Sequence, residues 1–380
     1  MSTEGTPESV DIDCRFTGRI GQFDLDVAFN AHGPGITALF GPSGSGKTSI
    51  LRCLAGLTRL NGFCRVGGGT WQDDATGCFV PPHRREVGYV SQDASLFNHL
   101  SVLRNLRFGA RRGNGIELDR EAQIIELLNL QGLLKRSCKA LSGGERQRVA
   151  IGRALLSAPR VLLMDEPVSA LDRRAKEEIL PYFEVLRESI ALPIVYVSHD
   201  LAEVARLADQ MVVISAGRKI AEGRVQDILE RLDLYPETGR FEAGVVLSAT
   251  IVGHNRGYKL TNLDVDGQQI SIPEIDASAG EMVRVRIRAR DVALATRKPE
   301  GISIRNVLKG TVAQIAPETD TAFAETLVDI GGGRLRARIT REALAQLAIS
   351  EGSSVYALIK TISFDRRTVA AGRDEGAGEV

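Results

Sequence analysis

The 380-residue chain contains no run of about eighteen consecutive apolar residues, the length a membrane-spanning helix requires. If it serves a membrane process, another chain supplies the membrane part. It also lacks net charge. Lysine and arginine number 48, as do aspartate and glutamate, so no bulk field draws the chain to nucleic acid, although local basic patches stay open. Nucleic acid is therefore not an expected partner. The five cysteines, Cys14, Cys53, Cys64, Cys78 and Cys138, are an odd number without a C-x-x-C pair. Neither a disulfide framework nor a zinc site is suggested, and a reducing cytosol fits. The N-terminus is polar and acidic without an apolar core, so residues 1–9 are expected to be a disordered tail rather than a secretory signal.

What the chain has is apolar content, 43% of its residues, enough for real cores at a length that predicts two or three domains. Its organising stretch is Gly41-Pro42-Ser43-Gly44-Ser45-Gly46-Lys47-Thr48, which follows the strand-like run from Ile36 to Phe40 and opens a helical run at Ser49. It reads G-x-x-x-x-G-K-T. The glycines let successive backbone amides turn inward as an anion nest at a helix N-terminus. Lys47 can then reach the β- and γ-phosphates, and the Thr48 hydroxyl can ligate Mg²⁺. Gly41 through Ser49 are the expected nucleotide contacts.

Alternating apolar residues from Val10 to Phe29, interrupted between Gly18 and Gly21, predict a β-hairpin. After the loop and its helix, a Gly-rich stretch leads to Pro82 and to the strand Val87–Val90, which delivers Gln92. Residues 98–139 change to helical spacing, with Ile124, Ile125, Leu127, Leu128 and Leu130 as an apolar stripe, and read as a helical insertion. Two apolar strands follow, one ending in Asp165-Glu166 and one in Ser198-His199-Asp200. Strands alternating with helices predict a largely parallel sheet, whose ligands bind beyond the strands' carboxyl ends. Asp165 is suited to hold Mg²⁺ through water, and Glu166 to orient and deprotonate the water that attacks the γ-phosphate. Ser142-Gly143-Gly144 opens a helix as a second nest, without a following lysine.

Together, Gly41 to Thr48, Gln92, Leu141-Ser142-Gly143-Gly144-Glu145, Val161 to Glu166, Ser169-Ala170-Leu171-Asp172 and Ser198-His199-Asp200 resemble, in order and register, the ATP-binding-cassette transporter ATPases. The resemblance covers roughly the first 235 residues. It implies an α/β P-loop NTPase domain at 10–235, with the helical insertion docking on transmembrane permease subunits. It further implies that Ser142, Gly143 and Gly144 complete the ATP site of a second copy in a head-to-tail dimer, that His199 contacts the γ-phosphate, and that Gln92 senses it through Mg²⁺ or water. The expected catalytic residues are thus Glu166, His199, Lys47 and Gln92, and the expected metal-holding residues Thr48, Gln92 and Asp165. An aromatic residue in that family stacks on adenine, and here Phe16 and Phe23 are both open.

The second half, at 241–367 beyond a linker at Pro236-Glu237-Thr238-Gly239, has short strands and turn signals and predicts an all-β, oligobinding-like regulatory domain. A tail is expected at 368–380. Ile302 to Val312, Ala337 to Thr340 and Val355 to Lys360 resemble the oligobinding-type module of molybdate importer ATPases, covering about 301–364. A small tetrahedral dianion needs hydroxyl or amide donors and a cation, and Ser303, Arg305, Thr340 and Lys360 are chemically suited. The expected function is the ATP-hydrolysing subunit of an importer for molybdate or tungstate, peripheral at the cytoplasmic face of the inner membrane. It would be served indirectly by a periplasmic or extracellular molybdate-binding protein. The alternatives are an importer ATPase for another anion such as sulfate, and a cytosolic molybdate-responsive ATPase with no membrane partner.

Overall fold

The computed structural model describes residues 10–21, 23–110, 117–234, 243–318, 321–361, 364 and 369–371. The expected tail at 1–9 and the linker at 236–239 lie outside them. The chain divides into two compact units. One runs up to Asp200 and adds Leu207–Gly223, and the other comprises Leu201–Arg206 and the residues from Arg224 onward. Among the described residues no helix is long and apolar enough to cross a membrane.

The first unit is built on an eleven-stranded sheet. Strands β1 (Ile12–Ile20) and β2 (Phe23–Ala31) form the expected hairpin, paired from Ile12 with Ala31 to Ile20 with Phe23. β1 therefore runs through Gly18, and its turn is tighter than the glycine spacing suggests. Strand β3 (Gly35–Phe40) is buried at every position. The Gly-rich stretch before Pro82 holds three short strands, β4 (Asn61–Val66), β5 (Gly69–Asp73) and β6 (Cys78–Phe79). Cys64, Val66 and Trp71 from these strands are buried, and that burial stabilises a pairing the glycines alone would not predict.

The remaining strands are β7 (Val87–Val90), β8 (Val161–Asp165), β9 (Pro193–Ser198), β10 (Gln210–Ser215) and β11 (Arg218–Arg224). The sheet order is β6-β5-β4-β1-β2-β11-β10-β3-β9-β8-β7. The run β10-β3-β9-β8-β7 is parallel throughout, while β1, β2, β4, β5 and β6 pair antiparallel with one another, apart from one parallel pairing of β2 with β11 at Asp26 and Arg218. The parallel character expected for the sheet thus belongs to the half that carries the polar strand ends. Helix α1 (Lys47–Leu54) packs on β8 and β9. Its Ile50, Leu51 and Leu54 share a core with Leu39, Leu163 and Val197, at about 1.5–3 kcal/mol for each large side chain removed from water. Helices α2 (Val102–Ala110) and α3 (Leu118–Leu127) lie in the segment read as a helical insertion, and both contact α4 (Gly143–Leu155). Helix α5 (Arg173–Ser189) follows β8.

The second unit is all β apart from short helices. One five-stranded sheet uses β12 (Gly244–Asn255), β13 (Leu260–Val265), β14 (Gln268–Pro273) and β15 (Met282–Arg288) in the order β14-β13-β12-β15. The other uses β16 (Val292–Ala295), β17 (Asn306–Pro317), β18 (Phe323–Asp329), β19 (Arg334–Thr340) and β20 (Ser354–Ile359) in the order β16-β20-β17-β18-β19. All pairings are antiparallel, and one core of Val, Ile and Leu draws on both sheets. Within the segment 368–380, expected to be a tail, Val369–Ala371 forms the fifth strand of the first sheet by pairing with Val283–Val285. The free backbone edge of β15 explains it, since an unpaired edge accepts any extended segment that reaches it.

Candidate functional site

The site is assembled by sheet order. β3, β9, β8 and β7 are neighbours, and their register places Phe40 level with Ser198 and Val197 level with Asp165. The residues that follow therefore emerge together at one sheet edge. The phosphate loop leaves β3 at Gly41, where a Cβ would lie 2.0 Å from the Ile214 carbonyl oxygen, and enters α1 at Gly46, where a Cβ would lie 2.8 Å from the Phe23 ring. Both glycines have positive φ, so any side chain would be strained as well as crowded. Lys47 is 4% exposed, and its ammonium donates to the Gly41 and Pro42 carbonyls at 2.8 Å each and to Ser45 Oγ at 3.5 Å. Burial lowers its pKa, while Glu166 and then Asp165 pull the other way.

The Thr48 hydroxyl donates to Asp165 Oδ1 at 2.8 Å, and the Tyr89 phenol donates to Asp165 Oδ2 at 3.0 Å. Burial, then the Asp165 charge, push the Tyr89 phenol above its ordinary range, so it is a donor. Glu166 leaves β8 in left-handed backbone, φ 45°, which costs a non-glycine residue about 1–2 kcal/mol. Three hydrogen bonds hold it there. Its N–H donates to the Val197 carbonyl at 3.2 Å, and its own carbonyl accepts from the Ser169 N–H at 3.2 Å and from Ser169 Oγ at 2.9 Å. Its carboxylate lies 3.1 Å from His199 Nδ1.

Lys47, Thr48, Asp165, Glu166 and His199 are thus brought together. Gln92 is exposed in the turn after β7, and no hydrogen bond among the described residues joins it to them. That turn is tied instead to α4, through Gln147 Nε2 to the Ser91 carbonyl at 3.4 Å and Arg153 to the Ala94 and Ser95 carbonyls at 3.2 and 2.9 Å. Ser142 caps α4 reciprocally with Glu145, Glu145 N–H to Ser142 Oγ at 3.2 Å and Ser142 N–H to Glu145 Oε2 at 2.7 Å. Ser142 and Gly144 line a separate groove of about 490 Å³ with Arg148, Asp172 and Tyr182, and no phosphate-loop residue lines it. Asp172 is itself spent as the N-cap of α5, accepting from the Ala175 N–H at 2.9 Å.

Of the two aromatic residues left open, Phe16 is fully buried in the core. Phe23 is half-buried, its ring against Gly46 and Gly217. In the second unit, Thr340 and Lys360 line one cavity of about 520 Å³ together with Arg290, Arg338 and Ile304. Ser303 and Arg305 flank Ile304, Ser303 exposed and Arg305 half-buried. Thr340 Oγ1 caps the short helix Arg341–Gln346 by accepting from the Ala343 N–H at 3.1 Å.

Sequence reasoning missed Tyr89 and Ser169 as partners of the two acidic residues. The signal for Tyr89 was its place on the strand next to the one ending in Asp165. Ser169 offered only its three-residue spacing from Glu166.

Comparison with known proteins agrees with this geometry. The pattern of the ABC transporter family matches residues 25–169, and that of the TOBE domain matches residues 302–362. A nucleotide-free ATP-binding cassette from an ABC transporter superposes with a TM-score of 0.51 at 23% identity, covering 59% of this chain and 96% of that one, which establishes the fold. The molybdenum import ATP-binding protein ModC of Mesorhizobium japonicum is 46% identical over 93% of this chain and 96% of its own length. That of Aromatoleum aromaticum is 48% identical over 90% of this chain and 91% of its own length. The chain belongs to the molybdenum import ATP-binding protein family of ABC transporter ATPases.

Proposed function

We propose that this chain is the ATP-hydrolysing subunit of an importer that moves molybdate, or tungstate, across the cytoplasmic membrane. The observation that carries the reading is one sheet edge holding a buried lysine in a glycine loop, a Thr–Asp pair and a Glu–His pair, in a chain related over its length to molybdenum import proteins. Gly41 through Ser49 would cradle the ATP phosphates with backbone amides, and Lys47 would exchange its carbonyl acceptors for phosphate oxygens.

The donor set suits Mg²⁺. Thr48 Oγ1 and Asp165 offer hard oxygens 2.8 Å apart, few enough to leave coordination positions for water and phosphate, as Mg²⁺ prefers. Bound there, the ion supplies neutralisation of phosphate charge. Glu166 would take a proton from the attacking water, and His199, whose Nδ1 lies 3.1 Å from the Glu166 carboxylate, would reach the γ-phosphate. Gln92, on a turn tied to α4, would help to hold the metal when the site closes. Phe23, beside Gly46, is the better placed of the two aromatics to meet the adenine ring.

Ser142 and Gly144 line a groove apart from the phosphate loop, which supports a head-to-tail dimer in which Ser142, Gly143 and Gly144 close the phosphate site of a second copy. Turnover should then rise more than linearly with protein concentration. The segment 98–139 would dock on transmembrane permease subunits at the cytoplasmic face. In the second unit, the cavity lined by Thr340 and Lys360 is the proposed oxyanion site. Arg290 and Arg338 supply cationic lining there, and Ser303 and Arg305, on either side of the lining residue Ile304, would join them on binding.

The test is uptake. The chain is co-expressed with its permease in cells lacking their own molybdate importer, and ATP-dependent uptake of molybdate, tungstate and sulfate is measured. Uptake of molybdate that disappears with Lys47→Ala supports the reading. Sulfate uptake alone, or none, overturns the cargo, and recovery of no multispanning membrane protein with the purified chain overturns the transport role.

A further inference from the structure

Asp165 accepts two hydrogen bonds, one on each oxygen, and only the Thr48 bond comes from the phosphate loop. The other comes from Tyr89, whose position follows from strand geometry. β7 and β8 are parallel with Tyr89 level with Leu163. Side chains alternate along a strand, so Leu163 and Asp165 share a face, with Asp165 two residues or roughly 6.6 Å further on. Tyr89 sits beside Leu163 and packs on the same core cluster. Its ring spans the step that a shorter side chain would not, and its hydroxyl meets Oδ2 at 3.0 Å.

We propose that Tyr89 is a positioning residue for the metal-holding carboxylate: with Thr48 it fixes the plane of Asp165, so that one oxygen stays with the phosphate loop and the other keeps a lone pair aimed at a metal-bound water. This rests on the assignment of Asp165 to Mg²⁺. A carboxylate held by Thr48 alone rotates about its Cβ–Cγ bond, and each orientation lost to the metal weakens it. A carboxylate held at both oxygens does not. Among the described residues the phenol's hydrogen bond goes to Asp165 and not to the glycine loop, so its effect is expected on the metal and not on the nucleotide.

The test uses the full-length chain and Tyr89→Phe, which keeps the ring in the core and removes only the hydroxyl, with Asp165→Asn as comparator. Mn²⁺ serves as the probe and is titrated by electron paramagnetic resonance into the chain–ATP complex. ATP binding in EDTA is measured separately. Tyr89→Phe should weaken Mn²⁺ about tenfold, the lower end for a residue that orients a metal ligand, while ATP binding in EDTA and the melting temperature stay unchanged. ATPase activity should shift to higher free Mg²⁺ with its maximum retained. Unaltered Mn²⁺ affinity in Tyr89→Phe beside a clear loss in Asp165→Asn overturns the proposal alone. Unaltered affinity in both overturns the assignment of Asp165 and the proposal with it. An equal loss of ATP binding in EDTA assigns Tyr89 a merely structural part and also overturns it.

Discussion

Arg85 offers the sharpest test of what holds the phosphate-loop helix in place. Its side chain is 5% exposed and its guanidinium donates to four carbonyls. They are Val80 at 2.8 Å, Cys53 at 2.9 Å, Leu54 at 2.7 Å and Trp71 at 3.4 Å. Cys53 and Leu54 are the last turn of α1, the helix that begins with Lys47, so Arg85 neutralises the negative end of the helix whose other end is proposed to meet phosphate. Arg85→Met keeps the apolar stem and removes every donor. The Cys53 carbonyl still receives the Gly56 N–H at 2.9 Å, and the Trp71 carbonyl the Val80 N–H at 2.8 Å. The Leu54 and Val80 carbonyls are left without a donor, at about 1–3 kcal/mol each. Lost contact with the Phe79 and Trp71 rings adds about 0.5–1 kcal/mol. Relief from desolvating the guanidinium offsets part of this, so the net expected loss is about 2–4 kcal/mol. For a unit of this size that is a fall of roughly 5–15 °C in melting temperature. Trp71 is the chain's only tryptophan and borders the site, so its fluorescence reports the melt directly. Arg85→Lys, a point charge with fewer donors, should fall between. A melt of Arg85→Met within about 2 °C of the wild type would refute the reasoning.

The remaining expectations concern chemistry and cores. Glu166→Gln should preserve ATP binding and accumulate closed dimers while turnover falls roughly 10²–10⁴-fold, and steady-state phosphate release with size-exclusion chromatography in ATP checks both. In the second unit, Arg336 and Glu325 form a buried pair at 2.8 Å, with exposures of 1% and 2%. Burial raises the Glu325 pKa against the opposing pull of Arg336. Arg336→Met leaves that carboxylate only the longer pairing with Arg338 at 3.7 Å and should cost about 3 kcal/mol, the low end for a broken buried pair, whereas replacing both Arg336 and Glu325 with apolar residues should recover most of the loss in chemical denaturation. Burial pushes the Cys53 and Cys64 thiols up to about 12, and Cys14 and Cys138 are buried too. Under native conditions Ellman's reagent should therefore titrate Cys78 alone, and all five thiols only after unfolding.

The parts of the site legible in the sequence are those fixed by local rules. A glycine loop between a strand and a helix has one good conformation, and an apolar strand ending in two acids must present them at the sheet edge, so Lys47, Thr48, Asp165 and Glu166 could be placed without coordinates. Sheet order was not local. That β9 lies between β3 and β8, and so brings His199 within 3.1 Å of Glu166, depends on how helices α1 and α5 cross over, which no spacing encodes. Strands β4 to β6 were hidden because their glycines mark turns while burial of Trp71 and Cys64 decides the pairing. Arg85 was invisible for the same reason. Its acceptors come from three segments up to 32 residues away from it in sequence, and nothing in P-P-H-R-R-E distinguishes a guanidinium that will be buried from one left in water. Phe23 could be told from Phe16 only by depth, since both alternate in phase on paired strands. Sequence thus specifies the groups proposed to meet phosphate, and packing specifies the groups that hold them. A variant library scored only for ATPase activity should accordingly divide in two. Changes at Lys47 or Glu166 should abolish turnover in a chain that melts normally, and changes at Arg85 should lower turnover only as the melting temperature falls. If Arg85 variants lost activity at full thermal stability, that division would be wrong and Arg85 would have to act on the nucleotide itself.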